Sequence, residues 1–174
     1  APGYESEDGD LLLAAIRAHS HVAALAVACG HTRTVIIQIG TGNDGSTWYR
    51  DPDSGELMEN YHFISHRRAA HAVDQGEAIE GADLMHHKCD RLHLRAYKYL
   101  LDLLDAHDAG DGSSVLDAGV AAFFSDIGIG LNHSPHDLPW LLAGNAGGFL
   151  ADGGQYLNIE GGDKSALTAI KLIN

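Results

Sequence analysis

Ala121-Ala-Phe-Phe-Ser-Asp-Ile-Gly-Ile-Gly-Leu-Asn-His-Ser-Pro-His-Asp-Leu-Pro-Trp-Leu-Leu-Ala-Gly144 is the stretch on which the fold turns. An apolar run leads straight into a carboxylate, Asp126, and then into a turn built on Gly128 and Gly130. His133 and His136 follow, before a second apolar run from 138 to 143 that ends in glycines. Polar chemistry at the end of a buried strand suits α/β proteins, whose ligands bind outside the carboxyl ends of the strands. Asp126 with two nearby imidazoles makes a half-site for a divalent ion. His133 and His136 stand at i and i+3 across Pro135, close enough to converge. The alternative is structural: Asp126 caps the glycine turn and the histidines bond to backbone.

Upstream of this stretch, Leu84, Cys89, Leu92, Ala96, Tyr99, Leu100, Leu103 and Leu104 share one face of a helix expected over 83–107. His86, His87 and His93 are scattered around it and read as surface or core-edge residues. A glycine turn at 110–114 separates this helix from a strand region expected over 115–124. Residues 34–39, Thr-Val-Ile-Ile-Gln-Ile, read as a further buried strand. The Gly-rich loop at 40–46 lacks the phosphate-loop pattern and any following Lys, so it reads as a turn. Residues 47–60 read as an irregular excursion, 74–82 as an acidic linker, 153–158 as a short strand and 165–173 as an apolar helix. Asp10 is the expected cap of a first helix that Gly30 stops near Cys29. His19 and His21 on that helix point about 200° apart and cannot face one ion together.

A second histidine cluster lies at 61–71. His62 and His66 are spaced i, i+4, so a helix here places both imidazoles on one face, where they can chelate one ion; the alternative, which an isolated pair of this spacing favours, is a His-rich helix start whose rings contact solvent and carboxylates.

Composition sets bounds. The 174 residues make one domain by prior, with residues 1–9 read as disordered or linker and 10–174 as a single α/β domain. The net charge of -13 with histidine neutral argues against nucleic-acid and anionic-membrane partners. The 12 histidines make that charge strongly pH-dependent. Cys29 and Cys89 fit either one disulfide or two free thiols. No apolar run approaches the length of a bilayer span without a charge or histidine, so no membrane span is expected.

The motif from 125 to 144 resembles the carboxyl-terminal part of a family of secreted bacterial proteins related to the alkaline phosphatase and sulfatase superfamily. The shared pieces are Ser-Asp-x-Gly-x-Gly at a strand end, a His-containing loop, Leu-Pro-x-x-Leu-Ala-Gly, and an earlier Ser-His at the position of Ser65-His66. Their order matches from about residue 10 to 173. The resemblance implies a three-layer α/β/α sandwich with a small, mostly parallel sheet and divalent metals at the strand ends. It implies that Asp126 is a ligand carboxylate, His66 the earlier ligand histidine, and His133 or His136 the late one. The superfamily carries Asp four residues before the earlier histidine, where this chain has His62. Its amino-terminal half, with the first ligand Asp and the Ser or Thr nucleophile, has no counterpart here. An incomplete alkaline-phosphatase-like domain, part of a longer chain, is therefore expected.

Two functions follow as expectations. One is a secreted or periplasmic, metal-dependent hydrolase of phosphate or sulfate esters, with Zn preferred and His62, His66, Asp126, His133 and His136 as the ligand set. The other is a non-catalytic extracellular structural or assembly subunit on the same scaffold. A small sheet leaves exposed edges, so another protein chain or a second copy is expected to cover one.

Overall fold

The computed structural model describes residues 8–40, 47–72, 74–150, 154 and 156. The expected fraying of 1–8, the 41–46 part of the glycine loop, the strand over 153–158 and the helix over 165–173 lie outside these residues, positions 8, 154 and 156 apart. Helix α1 spans Gly9–Ala28, β1 Trp48–Arg50, β2 Leu57–Asn60, α2 Tyr61–His66 and α3 Ala82–Asp105. Then come α4 Val115–Ala118, β3 Ala121–Phe124, a 3₁₀ turn at Gly130–Asn132 and β4 Trp140–Ala143.

α3 is the spine. Its buried face, Ala82, Cys89, His93 and Ala96, meets α1, α2 and the β1–β2 hairpin. Tyr49, Met58, Ile64 and Cys89 form the core, with Leu12, Leu13, Tyr61, Met85 and Leu92 packed around them. The hairpin turn is clamped to α3 by charge: Lys88 pairs with Asp51 and lies 3.6 Å from Asp53, while Arg91 lies 3.2 Å from Asp53. The bond from Lys88 is the chief reason the Asp51 carboxyl is pulled down to about 2.

α1 begins where Asp8, rather than the expected Asp10, accepts bonds from the Asp10 and Leu11 amides at 2.9 and 3.4 Å. Its first residue must be small. A methyl on Gly9 would run into the Tyr49 ring and the Trp48 carbonyl, so Gly9 lets the helix start pack directly on β1. Gly30 ends the helix as expected, at φ +69° with its amide on the Val27 carbonyl. By length and composition alone α1 is apolar enough to cross a bilayer, with a mean hydropathy of 1.6, although Arg17, His19 and His21 interrupt its apolar run. It packs on α3, and Ile16, Ser20, Ala23 and Ala24 are among its buried residues.

The sheet departs from expectation. In place of a three-layer sandwich around a mostly parallel sheet, the described residues form two separate antiparallel pairs, β1–β2 and β3–β4. A parallel return needs a crossover of a dozen or more residues, usually a helix. Between β3 and β4 the chain forms only one 3₁₀ turn, so β4 comes back antiparallel, with Ala121 opposite Ala143 and Phe124 opposite Trp140. Residues 34–39 form no strand. Val35, Ile36 and Ile37 instead line a groove with Val22, Ala23 and Ala26 of α1. Residues 115–118 are helical because the Ser114 hydroxyl accepts the Asp117 amide at 3.0 Å, a helix cap. Residues 47–60 are a hairpin rather than an excursion. Asp51 Oδ1 accepts the Asp53 amide at 2.8 Å, and Gly55, at φ +77°, closes the turn on the Asp51 carbonyl. Cys29 is exposed and Cys89 buried, and they are not bonded to each other.

Candidate functional site

α2 is a helix of six residues held at both ends. Asn60 accepts the His62 and Phe63 amides at 3.0 and 3.3 Å. Arg67, left-handed at φ 60°, returns its amide to the Ile64 carbonyl. Ile64, fully buried, pins the helix to the core. This anchoring puts His62 and His66 one turn apart on the same face, with ring centroids 4.5 Å apart. His66 is 1% exposed and His62 is 8% exposed.

The third imidazole comes from the loop after β3. The Gly128 and Ile129 amides bond to the Ser134 carbonyl at 3.0 and 3.1 Å, and the Ser134 amide returns to Ile129 at 3.0 Å. These bonds pinch residues 129–134 into a tight loop with His133 near its tip, in the left-handed region at φ 52°. Both glycines of the Gly-Ile-Gly motif are needed for packing. A methyl on Gly128 would overlap the His136 carbonyl, and one on Gly130 would lie 2.9 Å from the Ser65 carbonyl. The bare Gly130 backbone thus lets the loop rest on α2, and His133 Nε2 reaches to 2.8 Å from His66 Nε2.

His62, His66 and His133 form a group that could hold a metal ion. Their ligand nitrogens all lie within 4.8 Å of one another. An ion bound to imidazoles at about 2.0–2.1 Å fits between them after small ring shifts. Burial comes first among the causes that lower the His66 pKa, followed by the neighbouring His62 and His133. His66 is therefore held neutral, as a metal ligand must be. Its Nδ1 is buried and lacks a hydrogen-bond partner, among the described residues. Buried polar atoms are rarely left so, and each asks for an explanation. Asp126 and His136 stand outside this group and are exposed, on the same loop as His133.

Two supports of the site were not singled out from the sequence. Asn60 caps α2, and Asn directly before an apolar-periodic segment is a readable start signal. His71 has its ring 5.3 Å from that of His62 and 4.9 Å from that of Phe63. A third histidine, His93, is satisfied within the core: its Nε2 lies 3.0 Å from the Tyr49 hydroxyl. No family model, no curated protein and no solved structure matches this chain.

Proposed function

We propose that this chain holds one Zn²⁺ on His62, His66 and His133 and uses it as the Lewis acid of a phosphate- or sulfate-ester hydrolase. The observation that carries the reading is the convergence of three imidazoles from two distant segments, two of them buried and the third exposed. Neutral imidazole donors suit zinc among the common divalent ions. Three histidines with a remaining position open to solvent is the ligand pattern of catalytic rather than structural zinc. Zinc so held lowers the pKa of bound water and polarises a phosphoryl or sulfuryl oxygen. The ester class comes from the resemblance to alkaline phosphatases and sulfatases. That resemblance implies Asp126 as a ligand carboxylate and His133 or His136 as the late histidine, of which the convergence favours His133, and it implies a protein that works outside the cytoplasm.

The test is zinc content of the chelator-treated, reloaded chain, followed by hydrolysis of aryl phosphate and aryl sulfate esters. One zinc per chain with hydrolysis lost in His133→Ala is the expected result. Zinc without hydrolysis of either ester would leave the site and remove the enzyme.

A second reading is favoured by apolar surface. Leu11, Val22 and Leu25 of α1, Ile36, and Phe124, Leu141 and Leu142 of the β3–β4 pair are all exposed. Surface of this kind suits an extracellular assembly subunit, with another protein chain or a second copy covering a sheet edge. Light scattering of the purified chain distinguishes the two copies from the monomer.

A further inference from the structure

We infer that residues 34–39 are the surface on which a second copy of this chain docks, by antiparallel strand pairing of Thr34-Val-Ile-Ile-Gln-Ile39 with itself. This rests on the reading in which a second copy covers apolar surface, and it commits that reading to one segment outside both hairpins. The backbone carries the inference. The chain runs unbent from 34 to 39, in no helix, turn or strand. Its two ends are closed locally: the Thr32 hydroxyl donates to the Thr34 carbonyl at 2.9 Å, and Gln38 Nε2 donates to the Gly40 carbonyl at 3.1 Å. Between these ends, among the described residues, the amides and carbonyls of 35–39 form no hydrogen bond within the chain.

Val35, Ile36 and Ile37 are β-branched, the side chains that best fit a pleated surface, and Ile36 is 87% exposed. A row of free amides and carbonyls on such residues is a template for another strand. A lipid surface would leave those backbone groups unmet, whereas a strand meets them. The groove that Val35, Ile36 and Ile37 form with Val22 and Ala26 of α1 lies beside the segment. It offers the apolar side chains of an added strand a place to pack.

Charge names the occupant. The chain carries a net charge of -13, a self-repulsion that opposes the meeting of two copies. Residues 11–43, which hold most of α1 and the whole segment, are its longest stretch without Asp or Glu. Two copies that meet through this stretch bring none of its side-chain carboxylates together, because it has none. The segment itself is uncharged and complements its own copy. Antiparallel pairing about Ile36 sets Ile36 opposite Ile36 of the partner subunit, and Arg33 opposite Ile39 of the partner subunit. Parallel pairing in register would instead set Arg33 against Arg33 of the partner subunit, a like-charge pair that destabilises. The same patch then serves on both copies, as a two-fold dimer requires.

The test uses the full chain. Sedimentation velocity at rising concentration should show a monomer–dimer equilibrium, and hydrogen exchange should slow at the amides of 35–39 as the dimer fills. Ile36→Lys changes a side chain exposed in the monomer, so the fold should tolerate it. It should raise the dimer Kd on the order of a hundredfold, the loss of two buried isoleucines. Mixing Ile36→Lys with Ile36→Glu should restore the dimer, since the two side chains then face each other with opposite charge. A dimer that protects 121–124 or 140–143 and leaves 35–39 exchanging freely would overturn the inference, with the second-copy reading still standing. A monomer at every concentration, with or without binding to neutral phosphatidylcholine vesicles, would overturn both.

Discussion

His66 and His93 are both buried histidines on helices, and they differ in the partners that surround them. His93 of α3 sits among aromatic rings, edge-on to Tyr49 at 5.3 Å and to Tyr61 at 5.5 Å, with its Nε2 on the Tyr49 hydroxyl. Its hydrogen bonding is met from inside the protein, and it behaves as a polar core residue. His66 of α2 has two imidazoles for neighbours, with its Nε2 on His133 Nε2 and its buried Nδ1 without a hydrogen-bond partner among the described residues. Burial lowers the pKa of both, so burial does not separate them. The neighbours do. A histidine facing a hydroxyl is satisfied by the fold, whereas one facing two further histidines belongs to a group that could hold an ion.

The sharpest way to break this comparison is to remove each ring in turn. His66→Ala should abolish zinc binding. In the wild type, zinc at a hundredfold excess over its Kd should add about 2.7 kcal/mol, a rise on the order of 5–10 °C in Tm; in the variant that rise should vanish in differential scanning calorimetry. His93→Ala should do the reverse. It should lower stability by about 2–4 kcal/mol through the cavity and the lost Tyr49 bond, while zinc content stays at the wild-type level. Loss of zinc in His93→Ala would mean that the two clusters act as one.

His93 also sets a pH dependence in the metal-free chain. Burial is the first cause of its lowered pKa, with His86 acting in the same direction and Asp90 opposing; the uncharged Tyr49 and Tyr61 face it from β1 and α2. In the unfolded chain the ring takes a proton near its ordinary 6.5, whereas in the fold it does not until lower pH. Between those values the unfolded state binds the extra proton, so stability falls as pH drops below 6.5, by up to about 1.4 kcal/mol per pH unit from this residue. Urea midpoints measured from pH 7.5 to 5 should show the slope, and His93→Ala should flatten it.

A further comparison sets the loop against the helix. Gly130→Ala forces a methyl against the Ser65 carbonyl, whose helix is pinned by Ile64. The loop is the softer partner and should yield, carrying His133 away from His66. Zinc affinity should fall about tenfold, near 1.4 kcal/mol, in competition titrations, with a smaller change in the stability of the metal-free chain. Unchanged affinity would mean that His133 reaches the ion without the glycine contact.

Much of this site was readable in the sequence, because it rests on local spacing. The i, i+4 pair at His62 and His66 needs only a helix, and Asn60 and Arg67 hold one there. The Gly-rich turn after an apolar strand was equally plain. The choice of His133 over His136 was not, since it depends on a left-handed backbone at 133 and on the contact of Gly130 with Ser65, which lies 65 positions earlier in the chain. His93 had left a signal: it shares the α3 stripe with Cys89 and Ala96, the spacing of a core position. The sheet was misread for a different reason. Apolar runs such as 34–39 and 121–124 declare that they are apolar, and their pairing is decided by the connection. An intervening segment without a crossover helix brought β4 back antiparallel, and residues 35–38 line an open groove beside α1 without forming a strand.

The smallest expected effect belongs to Asp126. It is exposed at the exit of β3 and stands outside the three-histidine group. The nearby turn is closed by backbone bonds and by the Ser125 hydroxyl, which accepts the Ile127 amide at 3.3 Å. Asp126→Ala should therefore change stability by no more than about 0.5 kcal/mol, the usual span for surface substitutions. Zinc content should hold, because the imidazoles supply the ligands. If Asp126 acts as a further carboxylate in ester hydrolysis, kcat alone should fall and zinc affinity should not. Loss of zinc in this variant would draw the carboxylate into the coordination sphere, and the loop from 125 to 136 would then have to close further on α2 than His133 alone requires.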